Sequence, residues 1–259
     1  MTPSPSAPTP SFERRIQIAR DAIDYIMGRT PDEQVLPVPN CPGWTVYNAM
    51  AHVGRTGVFW GSMMACRPDD TTARVRALAA TQELPTGVAP EELATWIHAT
   101  MDVAAADETK ECYFSITGGP GNLGLWAWHA SSEIGVHRLD VEAALGHPHA
   151  LGDDDAADSV GYVAGYFLPA IRRAAAEDPG RITAQLLSSD GESIGSVDVV
   201  SEAADSGAAG HANVRGPAVQ VLLALWGRPH VDVEVSGDVE VFSRWRELPG
   251  QVYQFGTWD

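Results

Sequence analysis

The sequence predicts an α+β protein in two parts: an all-helical bundle over residues 11–177 and a small mixed unit over 178–259. Three observations carry this expectation. Apolar residues recur at helical spacing in five segments before residue 178. After "EDPGR" the texture shortens to strand-like runs, with Asp190-Gly191 as a hairpin signal between two of them. The chain has 259 residues, 44% hydrophobic and 20% charged, which suffices for one large core or two modest ones.

Residues 1–10, "MTPSPSAPTP", are Pro, Ser and Thr with almost nothing apolar, so a disordered tail is expected. They offer neither the basic start nor the apolar run of a secretory signal. The first helix is expected near 12–28, with Ile16, Ala19, Ile23 and Ile26 on one face. In the second, Pro42-Gly43 makes a turn, Thr45 is the expected N-cap, and Val46, Ala49, Met50, Val53 and Trp60 form the buried stripe. Pro90 suits the first turn of a third helix that carries Leu93, Trp96 and Ile97. "TGGPGN" is expected to break the chain before a fourth helix over 123–145, which Gly146 and Pro148 stop. Asp153 to Asp155 complement the positive end of a fifth, which should reach Glu177.

In the second part, "ITAQLLSSDGESIGSVDVVS" reads as two strands and "HANVRG" as a third. "PAVQVLLALWGR" reads as an apolar core helix with Pro217 in its first turn and Arg228 at its end. "HVDVEVSGDVEVFSRWREL" supplies a short strand and a closing helix. There is no internal repeat.

Seventeen Lys and Arg against 34 Asp and Glu leave a formal net charge of −17. A surface this acidic repels phosphate backbones and anionic lipid, so no nucleic-acid or membrane-surface partner is expected. No apolar run reaches the roughly 20 residues of a membrane span. Cys41, Cys66 and Cys112 are odd in number and lack CxxC spacing, which fits reduced thiols and a cytoplasmic location. The glycines of "TGGPGN" lack the strand-loop-helix setting of a phosphate loop.

The chemistry concentrates in "HASSEIGVHRLD", where His129, Glu133 and His137 stand at four-residue intervals. On a helix that spacing puts Glu133 and His137 one turn apart, within reach of one ion. Imidazole and carboxylate suit a borderline divalent metal such as zinc, and a facing helix of a bundle can add a third ligand. His52, inside the apolar stretch "NAMAHVGRTGVFW", is the candidate. From spacing alone a solvated surface pair and a hydrogen-bonded core histidine remain open. Cys41, in a turn before Pro42, is a weak candidate nucleophile with no basic neighbour in sequence.

Three stretches, "VPNCPGWTVYNAMAHVGR" (38–55), "SSEIGVHRLDVEAALG" (131–146) and "VRGPAVQVLLALWGR" (214–228), together resemble the mycothiol-dependent maleylpyruvate isomerase family. The resemblance implies a DinB-like four-helix bundle followed by a small α+β domain. It places the family's metal triad on His52, Glu133 and His137, and implies a divalent metal, zinc by preference, with mycothiol as cosubstrate. The implied reaction is cis–trans isomerisation or thiol transfer on a small electrophile, expected to be a carboxylate, by a monomer or homodimer. Arg228 then corresponds to an arginine that helps bind the acidic substrate, although a guanidinium neutralising a helix end is the competing reading. Arg215 is a second candidate, and Asp140 is placed to orient a ligand imidazole or to pair with an arginine. Where family members often carry His and Arg before the ligand Glu, this chain has Ser132 and His129. His129 is therefore a candidate catalytic group, fourth ligand or pocket-wall residue. Two other readings stay open: thiol-independent metal-assisted lyase or hydrolase chemistry, and a metal- or ligand-binding module without turnover.

Overall fold

Ser11 opens the first helix, α1 (Phe12–Met27), by accepting a hydrogen bond from the Arg14 amide at 3.2 Å. A short α2 (Pro31–Gln34) follows, its start capped by Glu33, whose carboxylate accepts from the Thr30 amide at 2.8 Å. The expected cap at Thr45 is present. Its hydroxyl accepts from the Asn48 amide while Asn48 Oδ1 accepts from the Thr45 amide at 2.8 Å, and α3 (Val46–Met64) begins there. Then come α4 (Ala73–Gln82), α5 (Pro90–Ala104), a hairpin of β1 (Glu111–Phe114) with β2 (Gly119–Asn122), and α6 (Leu123–Leu145). This computed structural model describes residues 10–172, 179–199 and 210–252, so the expected tail lies, apart from Pro10, outside the described residues.

The long helices α1, α3, α5 and α6 form the expected four-helix bundle, with α6 packed against the other three. Helix α6 buries residues on every side, from Leu123 and Trp126 to Ile134, Leu139 and Val141, as a helix at the centre of a core must. Asn122 caps its start, accepting from the Leu125 amide at 2.8 Å, and Gly146 ends it as expected.

Helices α3 and α5 meet through a seam of bare backbone. A methyl group built on Gly54 would stand 2.6 Å from Leu93 Cβ, and one on Gly57 would stand 2.7 Å from Ile97 Cα. Real carbon contacts are not that short, so both positions require glycine. Thr100 ties the seam by donating from its hydroxyl to the Gly57 carbonyl at 2.7 Å.

Several elements of this part of the chain depart from the sequence reading. The segment "TGGPGN" is a turn and then a strand, because Gly119 to Asn122 pair antiparallel with Phe114 to Glu111. Helix α4 and the short α2 were not expected: α4 buries only the small face of Ala73, Ala77 and Thr81 and exposes Val75 and Leu78, and α2 buries nothing.

The chain divides into two compact units after Ala150, with Ser11–Ala150 in one and Leu151–Gln254 in the other. The expected boundary at 178 followed the change from helix to strand, but the helical stretch before it packs with the later unit. There α7 (Asp153–Tyr162) contacts the C-terminal helix α9 (Ala218–Leu225) and strand β4 (Ser193–Val199). Asp153 accepts hydrogen bonds from the Ser189 amide at 2.9 Å and hydroxyl at 3.0 Å. A π-helical turn, Val163–Phe167, leads into α8 (Leu168–Arg172), and the rest of the expected fifth helix lies outside the described residues.

The sheet of this unit has the order β4-β3-β5-β6, with β3 at Arg181–Leu187, β5 at His211–Pro217 and β6 at Glu234–Gly237. Strand β3 pairs antiparallel with β4 and parallel with β5. Ile182, Ala184 and Leu186 of β3 and Ala212 and Val214 of β5 are buried at alternating positions. Both α9 and the closing α10 (Val239–Val252) pack on β3 and β5. Pro217 ends β5 and precedes α9 instead of lying in its first turn. Among the described residues no helix is long and apolar enough to cross a membrane.

The seam predicts opposite effects from two glycine substitutions. Gly57→Ala should lower stability by about 1–3 kcal/mol through overpacking. Gly135→Ala on α6, where an added Cβ meets nothing within 4 Å, should raise it by about 0.5–1 kcal/mol through helix propensity. Urea denaturation midpoints measure both, and a neutral Gly57→Ala would contradict the close approach.

Candidate metal centre

Histidine 52 lies in the second turn of α3, and His129, Glu133 and His137 occupy successive turns of α6. The fold brings His52 across to the α6 residues. His52 Nε2 is 3.5 Å from Glu133 Oε1, and the His52 and His137 rings meet edge to face with centroids 4.7 Å apart. One donor atom from each of His52, Glu133 and His137 lies within 4.8 Å of the other two. His52 is 3% exposed and His137 7%, so the donors converge in a sheltered place and not on the helix surface. Two imidazoles and one carboxylate are the donor set of a borderline divalent metal, and three protein ligands leave a tetrahedral position over.

Burial pushes the Glu133 carboxyl up, but the neighbouring His129, by charge and by hydrogen bond, and the nearby His52 outweigh it. The net direction is well below the usual carboxylate range, so Glu133 is an anion at neutral pH. His129 itself is 2% exposed, and its Nε2 stands 2.8 Å from Glu133 Oε2.

A fully buried Asp140 backs His137, with Oδ2 3.2 Å from its Nδ1. That bond orients the ring and leaves Nε2 for an ion. The same Asp140 oxygen accepts from the Cys41 thiol at 3.3 Å. Cys41, His137 and Asp140 form a second group of converging donor atoms, sharing His137 with the first. In this position Cys41 is a hydrogen-bond donor to a carboxylate, which is not the setting of an activated nucleophile.

The loop before α3 holds these contacts in place. The Val38 amide donates to the Trp44 carbonyl at 2.9 Å, and the Trp44 amide donates to the Cys41 carbonyl at 3.0 Å. Gly43, at φ 86°, allows the tight turn between them. Trp44 is thereby laid against both imidazoles, 5.9 Å from His137 in a stacked arrangement and 5.2 Å from His52. Sequence reasoning quoted this tryptophan within a motif and gave it no task. Its signal was a large aromatic beside a Pro-Gly turn, just before the helix that carries His52.

Arg228 and Arg215 belong to the other compact unit. Arg228 lies just beyond α9, and its Nη1 donates to the Trp226 carbonyl at 3.1 Å, the contact of an arginine covering a helix end. Arg215 stands 3.5 Å from Glu234 across β5 and β6.

A helical bundle with a buried two-histidine, one-carboxylate cluster, joined to a small α+β unit, defines a class of metal-site proteins. Residues 17–142 match the family model described as mycothiol maleylpyruvate isomerase N-terminal domain, and residues 154–244 match the one described as MDMPI C-terminal domain. The chain belongs to the mycothiol-dependent maleylpyruvate isomerase family. Among solved structures it is similar to a crystal structure of the mycothiol-dependent maleylpyruvate isomerase, at 16% identity and a TM-score of 0.53, over 88% of this chain and 93% of that one. A structure of that isomerase with a histidine-to-alanine substitution matches with the same figures. The curated proteins give no match.

Two outcomes follow from this geometry. Protein equilibrated with zinc should hold one ion per chain by elemental analysis, and His52→Ala and Glu133→Ala should each hold far less. Full retention in both would show that the ion binds elsewhere. Burial pushes the Cys112 thiol up to about 11, so at pH 8 a maleimide should label this cysteine only after unfolding, as read by mass spectrometry of its peptide. Labelling in the native protein at the rate of a free thiol would contradict its burial.

Proposed function

We propose that this chain is a metal-dependent enzyme that uses mycothiol as a thiol cosubstrate on a small electrophile, with His52, Glu133 and His137 as the ligands of a divalent metal, zinc by preference. The observation that carries this reading is the convergence of those three donors from two helices within 4.8 Å in a family built for that chemistry. A bound divalent ion would supply Lewis acidity that favours the thiolate of the incoming thiol.

The chain's own residues supply orientation and shelter. Asp140 holds the His137 ring, His129 holds one oxygen of Glu133, and Trp44 shields both imidazoles from water. With the thiolate formed, addition to a conjugated double bond, rotation about the new single bond and elimination of the same thiolate isomerise the substrate with no net change in atoms. Retention of the adduct gives thiol transfer instead, and the two outcomes share their first step.

The test is incubation of zinc-loaded protein with mycothiol and maleylpyruvate, followed by ultraviolet absorbance and mass spectrometry, then with a panel of other electrophilic carboxylates. Turnover or an adduct that requires both metal and thiol is the expected result. Turnover without thiol would replace this reading with metal-assisted lyase or hydrolase chemistry. Metal binding without turnover across the panel would favour a binding module.

A further inference from the structure

The two oxygens of Glu133 are treated differently. Oε2 accepts a hydrogen bond from His129 Nε2 at 2.8 Å, whereas Oε1 faces His52, 3.5 Å from its Nε2. The His129 ring is held edge-on among Trp60, Trp126 and Phe114, with centroids 4.7, 5.6 and 6.2 Å away. A close-packed aromatic box leaves an imidazole little room to turn. Glutamate's terminal torsion is otherwise broad, and a free carboxylate can meet an ion with one oxygen or with both.

We propose that His129 is a positioning residue that occupies Oε2 of Glu133, makes Glu133 a one-oxygen ligand through Oε1, and so keeps a coordination position open at the metal centre. The inference rests on the metal reading above and deepens it. Three ligands giving one atom each leave a fourth tetrahedral position, and a carboxylate binding through both oxygens would fill it. His129 thus acts through Glu133 and not on the reacting atoms. The box explains why a histidine serves here: the ring packs like an aromatic while its Nε2 delivers a proton to the carboxylate.

Cobalt(II) titration of the full-length protein tests this, read by the visible absorption band and by competition with a chelator, with the apo fold checked by circular dichroism. In His129→Gln the amide nitrogen stands as many bonds from Cα as the imidazole Nε2, so affinity and spectrum should stay as in the wild type. His129→Asn keeps an amide but falls one bond short, and His129→Phe fills the box without a donor. Both should lose about 10–100-fold in metal affinity, the usual effect of removing a ligand's orienting partner. Their cobalt band should also weaken as the coordination number rises. Wild-type affinity and spectrum in Asn and Phe, or equal loss in a folded Gln variant, would overturn the proposal. A wild type that binds no cobalt would overturn the metal reading itself, and this inference with it.

Discussion

An ionised carboxylate inside a helical bundle persists only where its charge is met by nearby donors, because desolvation costs several kcal/mol for an unmatched ion. Glu133 is met from both sides, by His129 on its own helix and by His52 from α3. The rest of the centre is arranged around that requirement. The four-residue spacing of α6 stacks His129, Glu133 and His137 on one face, and the packing of α3 on α6 brings in the remaining imidazole. Remove the pairing and the carboxylate would take up a proton or turn toward water, and the convergence of donors would be lost with it.

Support for the converging side chains spreads outward from Asp140. Asp140 steadies His137, Cys41 donates to Asp140, and the loop that carries Cys41 also carries Trp44 onto the imidazole faces. Asp140 is fully buried, whereas Cys41 and Trp44 are partly exposed. A buried acid satisfied by two donors is characteristic of a network that specifies geometry more than it adds stability.

Much of this was legible in the sequence because it depends on local periodicity. The long helices showed apolar residues at helical spacing, and Thr45 and Gly146 announced the ends of α3 and α6. The four-residue spacing of His129, Glu133 and His137 on α6 was visible for the same reason. His52 needed more than periodicity: its place in an apolar stretch made it a candidate, and the family resemblance singled it out as the partner on another helix. Helix α4 escaped notice because its buried face is only Ala73, Ala77 and Thr81 while Val75 and Leu78 are exposed, and the β1–β2 hairpin because Gly119-Pro120-Gly121 has no strand propensity of its own. The boundary between units was misplaced because a change from helix to strand marks a change of local structure, not of core. The tasks of Trp44 and Cys41 were hidden because both act at a distance of about one hundred residues in sequence from the helix they touch.

The glycine seam between α3 and α5 has a further consequence for how this scaffold tolerates change. With Leu93 and Ile97 seated on bare backbone, the rear of α3 is closed to any larger side chain, and the depth at which His52 sits is inherited from that contact. Diversity in what the centre accepts must then arise elsewhere, from the short connection at Pro37–Thr45 and the other surroundings of the ligands. One side of the helix serves as an anchor for the imidazole that its other side presents.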